Sequence, residues 1–208
     1  MVSSKSRVHD ENWGQKIPNK STQGFFINAS NASIISLLPD CNSVLDAGSG
    51  SGELLCYLKE KGVKAKGVDI SGAVVSASKK RGLDVRQTDL DEGLPFKDSS
   101  FDCVISNQVL MHVFDPPLVI SEMKRVSKEF VLVNVPNHLC WRFRFLFLFG
   151  KLPEVLRGHA AHIRLFNLSK IRSMLSAAGL EIISESYTGK QIFPSFLSTG
   201  FTFLCKKK

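Results

Sequence analysis

The chain has 208 residues, of which 43% are hydrophobic and 22% charged, proportions typical of a globular domain rather than a disordered or fibrous protein. Its first twenty residues are polar, and its longest apolar run, at 145–149, is far shorter than the roughly 20 residues of a membrane-spanning helix. Five cysteines without a C-x-x-C spacing favour reduced thiols and no metal site. We therefore expect a single cytoplasmic domain over residues 1–208.

The net charge of +8 is concentrated in the last third of the chain. Residues 1–135 carry sixteen basic and sixteen acidic side chains, whereas residues 136–208 carry eleven basic and three acidic ones. A basic surface attracts an anionic small molecule, protein partner or lipid surface. Solvated helix faces and a basic C-terminal tail would give the same excess, so both interpretations stay open.

Short apolar runs alternate with segments of helical periodicity along the chain. The predicted strands are 43–48, 64–70, 84–89, 101–106, 129–135, 181–187 and 201–206. The predicted helices are 31–38, 52–61, 72–81, 108–127 and 168–178. Strands that alternate with helices pack as a parallel sheet covered on both faces.

The segment that joins the first predicted strand to the next helix indicates a ligand site. Asp46 ends the strand, and glycine occupies every second position of the turn that follows. Glycine allows positive φ values and close approach of a ligand, and amides at a helix start face that ligand. We predict a nucleotide-type site at this strand end. Its predicted cofactor contacts are Asp46, Ala47, Gly48, Ser49, Gly50 and Gly52.

Acidic residues end three successive predicted strands, at Asp46, Asp69 and Asp89. The G-x-G-x-G spacing differs from the G-x-G-x-x-G fingerprint of dinucleotide sites. A carboxylate at position 46 would repel a pyrophosphate but suits S-adenosylmethionine, which carries a sulfonium and an ammonium. Asp69 is placed to accept from ribose hydroxyls and Asp89 from an adenine amino group. The predicted cofactor set is completed by Ile70, Leu90 and Asn107.

These features resemble the class I S-adenosylmethionine-dependent methyltransferases. The resemblance continues at 94–96, 100–107, 109–113, 122–126 and 178–181. Within that superfamily the chain is most similar to the MetW-type (type 11) proteins, on residues 87–94, 136–137, 141–142, 150–153 and 162–163. In that group His162-Ile163 is usually followed by a second histidine, where this chain has Arg164.

The resemblance implies an α/β, Rossmann-like doubly wound seven-stranded sheet, mostly parallel with an antiparallel last strand, in a three-layer α/β/α sandwich. An N-terminal helical extension at 1–40 and a lid-like insertion at 136–166 would flank its core. S-adenosyl-L-methionine would be the cofactor of methyl transfer to a small, anionic or amphipathic acceptor. The alternative is a cofactor-binding accessory protein that works through a homoserine O-acetyltransferase partner.

Two other functions are disfavoured. The G-x-G-x-G spacing and Asp46 argue against a nicotinamide-dependent oxidoreductase. A nucleic-acid substrate is disfavoured because residues 106–109 lack the [Asp/Asn/Ser]-Pro-Pro-Tyr signature and the chain contains no Pro-Cys pair.

Catalytic residues are harder to predict, because methyl transfer needs an aligned nucleophile and often only a base. His112 is the best candidate base, since imidazole titrates near neutrality; a packing role is the alternative. Trp141, His162 and Arg164 are the predicted substrate contacts, with a structural clasp as the alternative for His162 and Arg164. The aromatic and arginine-rich segment 138–153 is predicted to be a lid, with a peripheral membrane surface as the alternative.

Overall fold

The computed structural model describes residues 29–153, 162–189 and 192–208. Most of the predicted extension at 1–40 and part of the insertion at 136–166 therefore lie outside the described residues. The helices are α1 (Ala29–Leu37), α2 (Glu53–Glu60), α3 (Gly72–Lys80), α4 (Pro116–Val126), α5 (Trp141–Leu148), α6 (Leu168–Ala177) and α7 (Pro194–Leu197). The strands are β1 (Ser43–Ala47), β2 (Lys64–Asp69), β3 (Val85–Gln87), β4 (Phe101–Asn107), β5 (Ser127–Pro136), β6 (Leu180–Gly189) and β7 (Ser198–Lys207).

The described strands form one seven-stranded sheet with the order β3-β2-β1-β4-β5-β7-β6. Strands β1 to β5 pair in parallel, and β7 runs antiparallel to both β5 and β6. The strand order reverses between β1 and β4, which opens a crevice at the carboxyl ends of these strands. The predicted fold class is confirmed, including the antiparallel last strand.

Apolar side chains lie on both faces of the central strands, because helices cover both faces. On one face Val104 and Val133 belong to the core that also contains Ile120 of α4 and Ile171 of α6. The core of the opposite face consists of Ile34, Val44, Leu54, Leu58, Cys103, Ile105, Leu132 and Leu204. The sheet is thus the middle of three layers, and the crevice is held between rigid elements.

The helix predicted at 108–127 is wrong at its start, since α4 begins only at Pro116. Gln108 has a φ of 59°, which a right-handed helix cannot contain. The side chain of Asp115 caps α4 by accepting from the amide of Leu118, and proline is favoured at the first helical position. Residues 108–115 therefore form a loop beyond β4, here termed the β4 loop, and His112 lies in this loop rather than on a helix.

Two further differences from the sequence prediction concern segments that were assigned to the site. The third strand ends at Gln87, and Asp89 beyond it caps a 3₁₀ turn at Leu90–Glu92 through a bond from the amide of Asp91. The predicted lid contains the helix α5, none of whose residues is buried.

None of the helices in the described ranges has the length and apolar character of a membrane-spanning segment.

Candidate functional site

A cavity of about 490 Å³ lies where β1, β2 and β4 end. Its size is within the range of about 300–1,000 Å³ typical of small-molecule sites. Eleven of the predicted site residues line it: Asp46, Gly48, Ser49, Gly50, Asp69, Ile70, Asp89, Leu90, Asn107, His112 and His162. The other four predicted residues, Ala47, Gly52, Trp141 and Arg164, are not among the described residues of its wall. The topology thus gathers most of the predicted set around one space.

The glycine loop, which comprises residues 48–52 between β1 and α2, closes one side of this cavity. Gly48 has a φ of 88°, and a Cβ there would lie 2.3 Å from Cγ2 of Val109 in the β4 loop. Gly50 has a φ of 50°, and a Cβ there would meet no described atom within 4 Å. Glycine is therefore needed at 48 for a close approach of two loops, and at 50 for the backbone conformation alone.

Asp46 is a buried carboxyl group in the cavity wall. Its side chain is 3% exposed, and its Oδ1 atom has no hydrogen-bond partner within the described part of the chain. Burial, and then the neighbouring carboxylates of Asp69 and Glu53, raise the pKa of Asp46 to about 7. A buried carboxylate without a partner is unfavourable unless a cation pairs with it. The electrostatics of this wall therefore favour a cationic ligand group.

Asp69 connects β2 to the glycine loop. Its Oδ2 atom accepts from the amide of Gly50 and its Oδ1 atom from the amide of Ser71, each at 2.9 Å. Each carboxylate oxygen has two lone pairs, so further donors can bind. Asp69 can therefore shape the glycine loop and accept hydrogen bonds from a ligand.

Polar side chains missed by the sequence analysis stabilise the end of β4. Asn107 donates from Nδ2 to Oδ1 of Asn31 in α1 at 2.7 Å, and Asn31 itself lines the cavity. Gln108, also in the cavity wall, donates to Oδ1 of the buried Asn134. Asn134 in turn donates to Oγ1 of Thr202 at 2.6 Å, which links the cavity wall to β7. Linked side-chain hydrogen bonds of this kind hold the wall in one arrangement.

Three histidines meet at the part of the cavity wall that is formed by the β4 loop and residues 162–166. His112 and His162 line the cavity, with ring centroids 5.2 Å apart. His138 lies behind them, and its Nε2 atom is 3.0 Å from Nδ1 of His162. Burial lowers the pKa of His162 and lowers that of His138 to about 4. His138 was missed because it is 24 residues from its partner and no local pattern connects them.

The segment 162–166 is attached to the β4 loop through its backbone. The carbonyl of Met111 accepts from the amides of Ile163 and Arg164 at 2.9 and 3.2 Å. The Nε atom of Arg164 also donates to the carbonyl of Phe114, at 3.2 Å. Arg164 thus occupies its guanidinium with the backbone of the loop that carries His112, which is the arrangement of a structural clasp.

The helix α5 lies outside the cavity wall with much of its apolar surface exposed. Leu148 is 79% exposed and Phe145 is 57% exposed. The guanidinium of Arg144 lies 5.5 Å from the ring centre of Phe196 in α7. Trp141, at the first turn of α5, is 47% exposed. Its predicted contact with the substrate stays a prediction, since Trp141 is not among the described residues of the cavity wall.

Curated relatives match parts of this chain. The bifunctional methionine biosynthesis protein MetXA/MetW of Rhodopirellula baltica is 31% identical over 64% of this chain and 22% of its own length. A probable S-adenosylmethionine-dependent methyltransferase of Mycolicibacterium smegmatis is 30% identical over 67% of this chain and 52% of its own length. The chain thus spans between about a fifth and a half of these two proteins.

Two solved structures share the fold. A SAM-dependent methyltransferase of Thermotoga maritima has a TM-score of 0.69 at 19% identity, covering 96% of this chain and 95% of that one. The magnesium protoporphyrin IX methyltransferase of Synechocystis, with bound SAH, has a TM-score of 0.61 at 19% identity, covering 98% and 86%. At these identities the likeness concerns the fold.

The family match covers most of the described sheet and the cavity. The model of the family described as methionine biosynthesis protein MetW matches residues 28–177, a range that includes all eleven predicted residues of the cavity wall. This chain belongs to the MetW family.

Proposed function

We propose that this protein is a methyltransferase that binds S-adenosylmethionine in the cavity and methylates a small anionic or amphipathic acceptor. The observation that carries the proposal is the buried Asp46 carboxyl, whose Oδ1 atom has no hydrogen-bond partner within the described residues and whose pKa is raised. The ammonium group of S-adenosylmethionine is a cation of the required kind. Membership of the MetW family and the relative from Mycolicibacterium smegmatis support the same cofactor.

The residues present fit this cofactor group by group. Asp46 and the amides of the glycine loop would hold its amino-acid part, and Asp69 would accept from its ribose hydroxyls. Asp89 and Leu90, which line the same cavity beyond β3, would contact its adenine. When bound, the cofactor supplies an electrophilic methyl group. The buried Oδ1 atom of Asn107 has no partner in the described part of the chain and offers a further acceptor.

The protein's own contribution to the chemistry lies in the histidine-lined part of the cavity. His112 is the proposed base that takes a proton from the acceptor, because it lines the cavity on a loop rather than inside the core. The eleven basic side chains against three acidic ones in residues 136–208 favour an anionic acceptor.

Calorimetric titration with S-adenosylmethionine, SAH and NAD tests the cofactor assignment. We expect the first two to bind and NAD not to bind. Asp46→Asn and Asp69→Asn should each weaken binding at least tenfold, because a charge-assisted hydrogen bond contributes about 1.5–3 kcal/mol. Asp98→Asn is the matched control, since the side chain of Asp98 is 76% exposed and does not line the cavity. Unchanged affinity in both folded cavity variants would refute the assignment.

A second candidate function is favoured by the relative from Rhodopirellula baltica, which carries MetXA and MetW in one chain. This protein would then bind the cofactor and act on a homoserine O-acetyltransferase as its partner. Co-purification with that enzyme, and a change in its activity when this protein is added, would support the accessory role. Loss of the effect in Asp46→Asn would show that it depends on the cofactor site. Turnover of S-adenosylmethionine without the partner would favour the first function.

A further inference from the structure

The hydrogen bonds of His138 define where its proton lies. The amide of Phe166 donates to Nδ1 of His138 at 3.1 Å. A backbone amide can only donate, so Nδ1 must carry a lone pair. In a neutral imidazole the single proton is then on Nε2. The amide of His138 also donates to the carbonyl of Phe166, at 3.1 Å. These two bonds fix the position and orientation of the His138 ring.

The proton on His138 decides the tautomer of the next ring. Nε2 of His138 lies 3.0 Å from Nδ1 of His162 and donates to it, so Nδ1 of His162 is the acceptor. The proton of a neutral His162 is therefore on its Nε2 atom. That atom is on the side of the ring opposite Nδ1, and hence opposite the buried His138, while the His162 ring forms part of the cavity wall.

The surroundings keep His138 neutral. Its side chain is 1% exposed, and this burial is the main reason why its pKa falls to about 4. The neighbouring His162 lowers the same pKa further, the backbone of Phe166 raises it, and His112 and the ammonium of Lys170 lower it again, so the pKa remains well below its ordinary value. A protonated His138 would also direct an Nδ1 proton at the Phe166 amide, so the geometry excludes that form.

We infer that His138 is a positioning residue that holds His162 as the Nε2–H tautomer, and that His162 uses this N–H to bind an anionic oxygen, carboxylate or phosphate, of the methyl acceptor. The inference rests on the proposed methyltransferase function for the identity of the ligand, but not for the tautomer.

This assignment separates the roles of the two cavity histidines. An Nε2–H group donates a hydrogen bond and cannot take up a proton, so His162 is not a base while its Nδ1 atom is engaged. His112 faces it in an edge-on arrangement with an interplanar angle of 76°. A substrate held by His162 would therefore lie beside His112, the group proposed to accept its proton.

The tautomer is measured directly by the imidazole ¹⁵N chemical shifts of His162 in the full chain without cofactor at neutral pH. We expect an unprotonated Nδ1 and a protonated Nε2.

His138→Phe removes the donor, so His162 should become a mixture of tautomers. His138→Gln should retain the single tautomer, because its amide can accept from Phe166 and donate to His162. His112→Phe is the control that removes a neighbouring imidazole but leaves the His138 bond. A His162 proton on Nδ1 in the parent chain would overturn the inference without any variant. So would an unchanged tautomer in a folded His138→Phe.

The anion site is tested separately with inorganic phosphate and acetate as probes. Each should shift the Nε2 resonance of His162 in the parent and in His138→Gln, with at least tenfold weaker binding in His138→Phe. Equal binding in all three would overturn the positioning role, and no shift in any of them would overturn the anion site. Calorimetry with S-adenosylmethionine on the same samples keeps the proposals distinct. If the parent chain does not bind the cofactor, the proposed function is wrong. A His162 proton on Nδ1 contradicts the inference alone.

Discussion

The side-chain amide of Asn107 donates to the side-chain oxygen of Asn31 at 2.7 Å, and so joins the end of β4 to α1 at the cavity wall. Asn31 is 4% exposed, so this bond supplies a partner to a polar side chain that is largely shielded from solvent. The helix α1, which the sequence predicts only as an element that precedes the core, is thereby a part of the candidate site. Because the Nδ2 group of Asn107 is engaged with Asn31, the Oδ1 atom of Asn107 is left as an acceptor.

Replacing Asn31 with alanine should therefore destabilise the protein and weaken cofactor binding together. The part-buried Asn107 amide would lose its acceptor, at a cost of about 1 kcal/mol in the free energy of unfolding, the usual contribution of a hydrogen bond. Urea unfolding measures this difference, and Ser36→Ala is the control because Ser36 is exposed on the same helix. If Asn31→Ala is as stable as Ser36→Ala, α1 does not support the site.

Cofactor binding should release a proton through Asp46. Its carboxyl has an ordinary pKa of 3.8 that the cavity raises to about 7, so it is largely protonated in the free protein at pH 6. A bound ammonium favours the charged carboxylate, and the affinity should rise with pH until about pH 7. Calorimetry in buffers of different ionisation enthalpy at pH 6 should detect release of nearly one proton. Asp46→Asn should bind more weakly and with no such release; equal proton release in that variant would assign it to another group.

The pH dependence of stability should carry the signature of His138. Its pKa is about 4 in the folded chain against an ordinary value of 6.5, so the unfolded chain binds more protons between these values. Stability therefore falls as the pH drops from 6.5 to 4, by at most about 1.4 kcal/mol for each pH unit. Asp46 acts in the opposite direction between pH 3.8 and about 7, so the comparison belongs in an Asp46→Asn background.

In that background, His138→Gln should show a flatter stability curve between pH 4 and 6.5 in urea unfolding. His162 also has a lowered pKa and leaves part of the slope in both chains. Identical slopes with and without His138 would mean that this histidine is not buried in its neutral form.

Alanine at Gly48 should cost more than alanine at Gly50. Both positions have positive φ, which costs a non-glycine residue about 1–2 kcal/mol. Only at Gly48 does a Cβ also collide with another residue, Val109 at 2.3 Å. We expect Gly48→Ala to be the less stable variant in thermal unfolding and to lose cofactor affinity.

The double variant Gly48→Ala/Val109→Ala isolates the collision from the backbone strain. It should recover part of the stability that Gly48→Ala loses, which a double-mutant cycle measures as a coupling energy. Strict additivity of the two substitutions would show that the glycine loop and the β4 loop are not in contact at this point.

The lid proposal for residues 138–153 predicts protection by ligands. The helix α5 has no buried residue and offers aromatic and leucine side chains for cleavage by chymotrypsin, such as Phe145 and Leu148. We expect cleavage within α5 to slow when SAH and an acceptor are present. Cleavage at Leu118, which is 41% exposed in α4 and does not line the cavity, provides an internal reference. Equal rates at α5 in all conditions would contradict the lid and favour the alternative of a surface for a membrane or partner.

The sequence was most informative where function depends on local backbone geometry. The run from Asp46 to Gly52 specifies its own turn, because alternate glycines permit conformations that other residues avoid. Topology then brings the ends of β1, β2 and β4 together, so residues after each strand could be assigned to one site from the sequence alone. The start of α4 was predicted too early although Asp115 and Pro116 carry the usual signals of a helix start.

Long-range pairing explains what the sequence could not show. His138 and His162 are joined by one hydrogen bond between segments on either side of α5, and Asn31 pairs with a residue 76 positions away. Neither contact has a periodicity or a motif. Arg164 was predicted to contact the substrate or to act as a structural clasp, and its guanidinium donates to the Phe114 carbonyl, a partner that only the path of the β4 loop makes available.

The bonds from the carbonyl of Met111 to the amides of Ile163 and Arg164 involve main-chain atoms alone. Side chains at positions 162–164 can therefore be exchanged without loss of these two main-chain bonds. The acidic residues proposed to hold the cofactor lie on other segments and would be unaffected by such an exchange. This separation would allow the side chains beside the cavity to diverge while the proposed cofactor site is kept, and a histidine in place of Arg164 would be one such change.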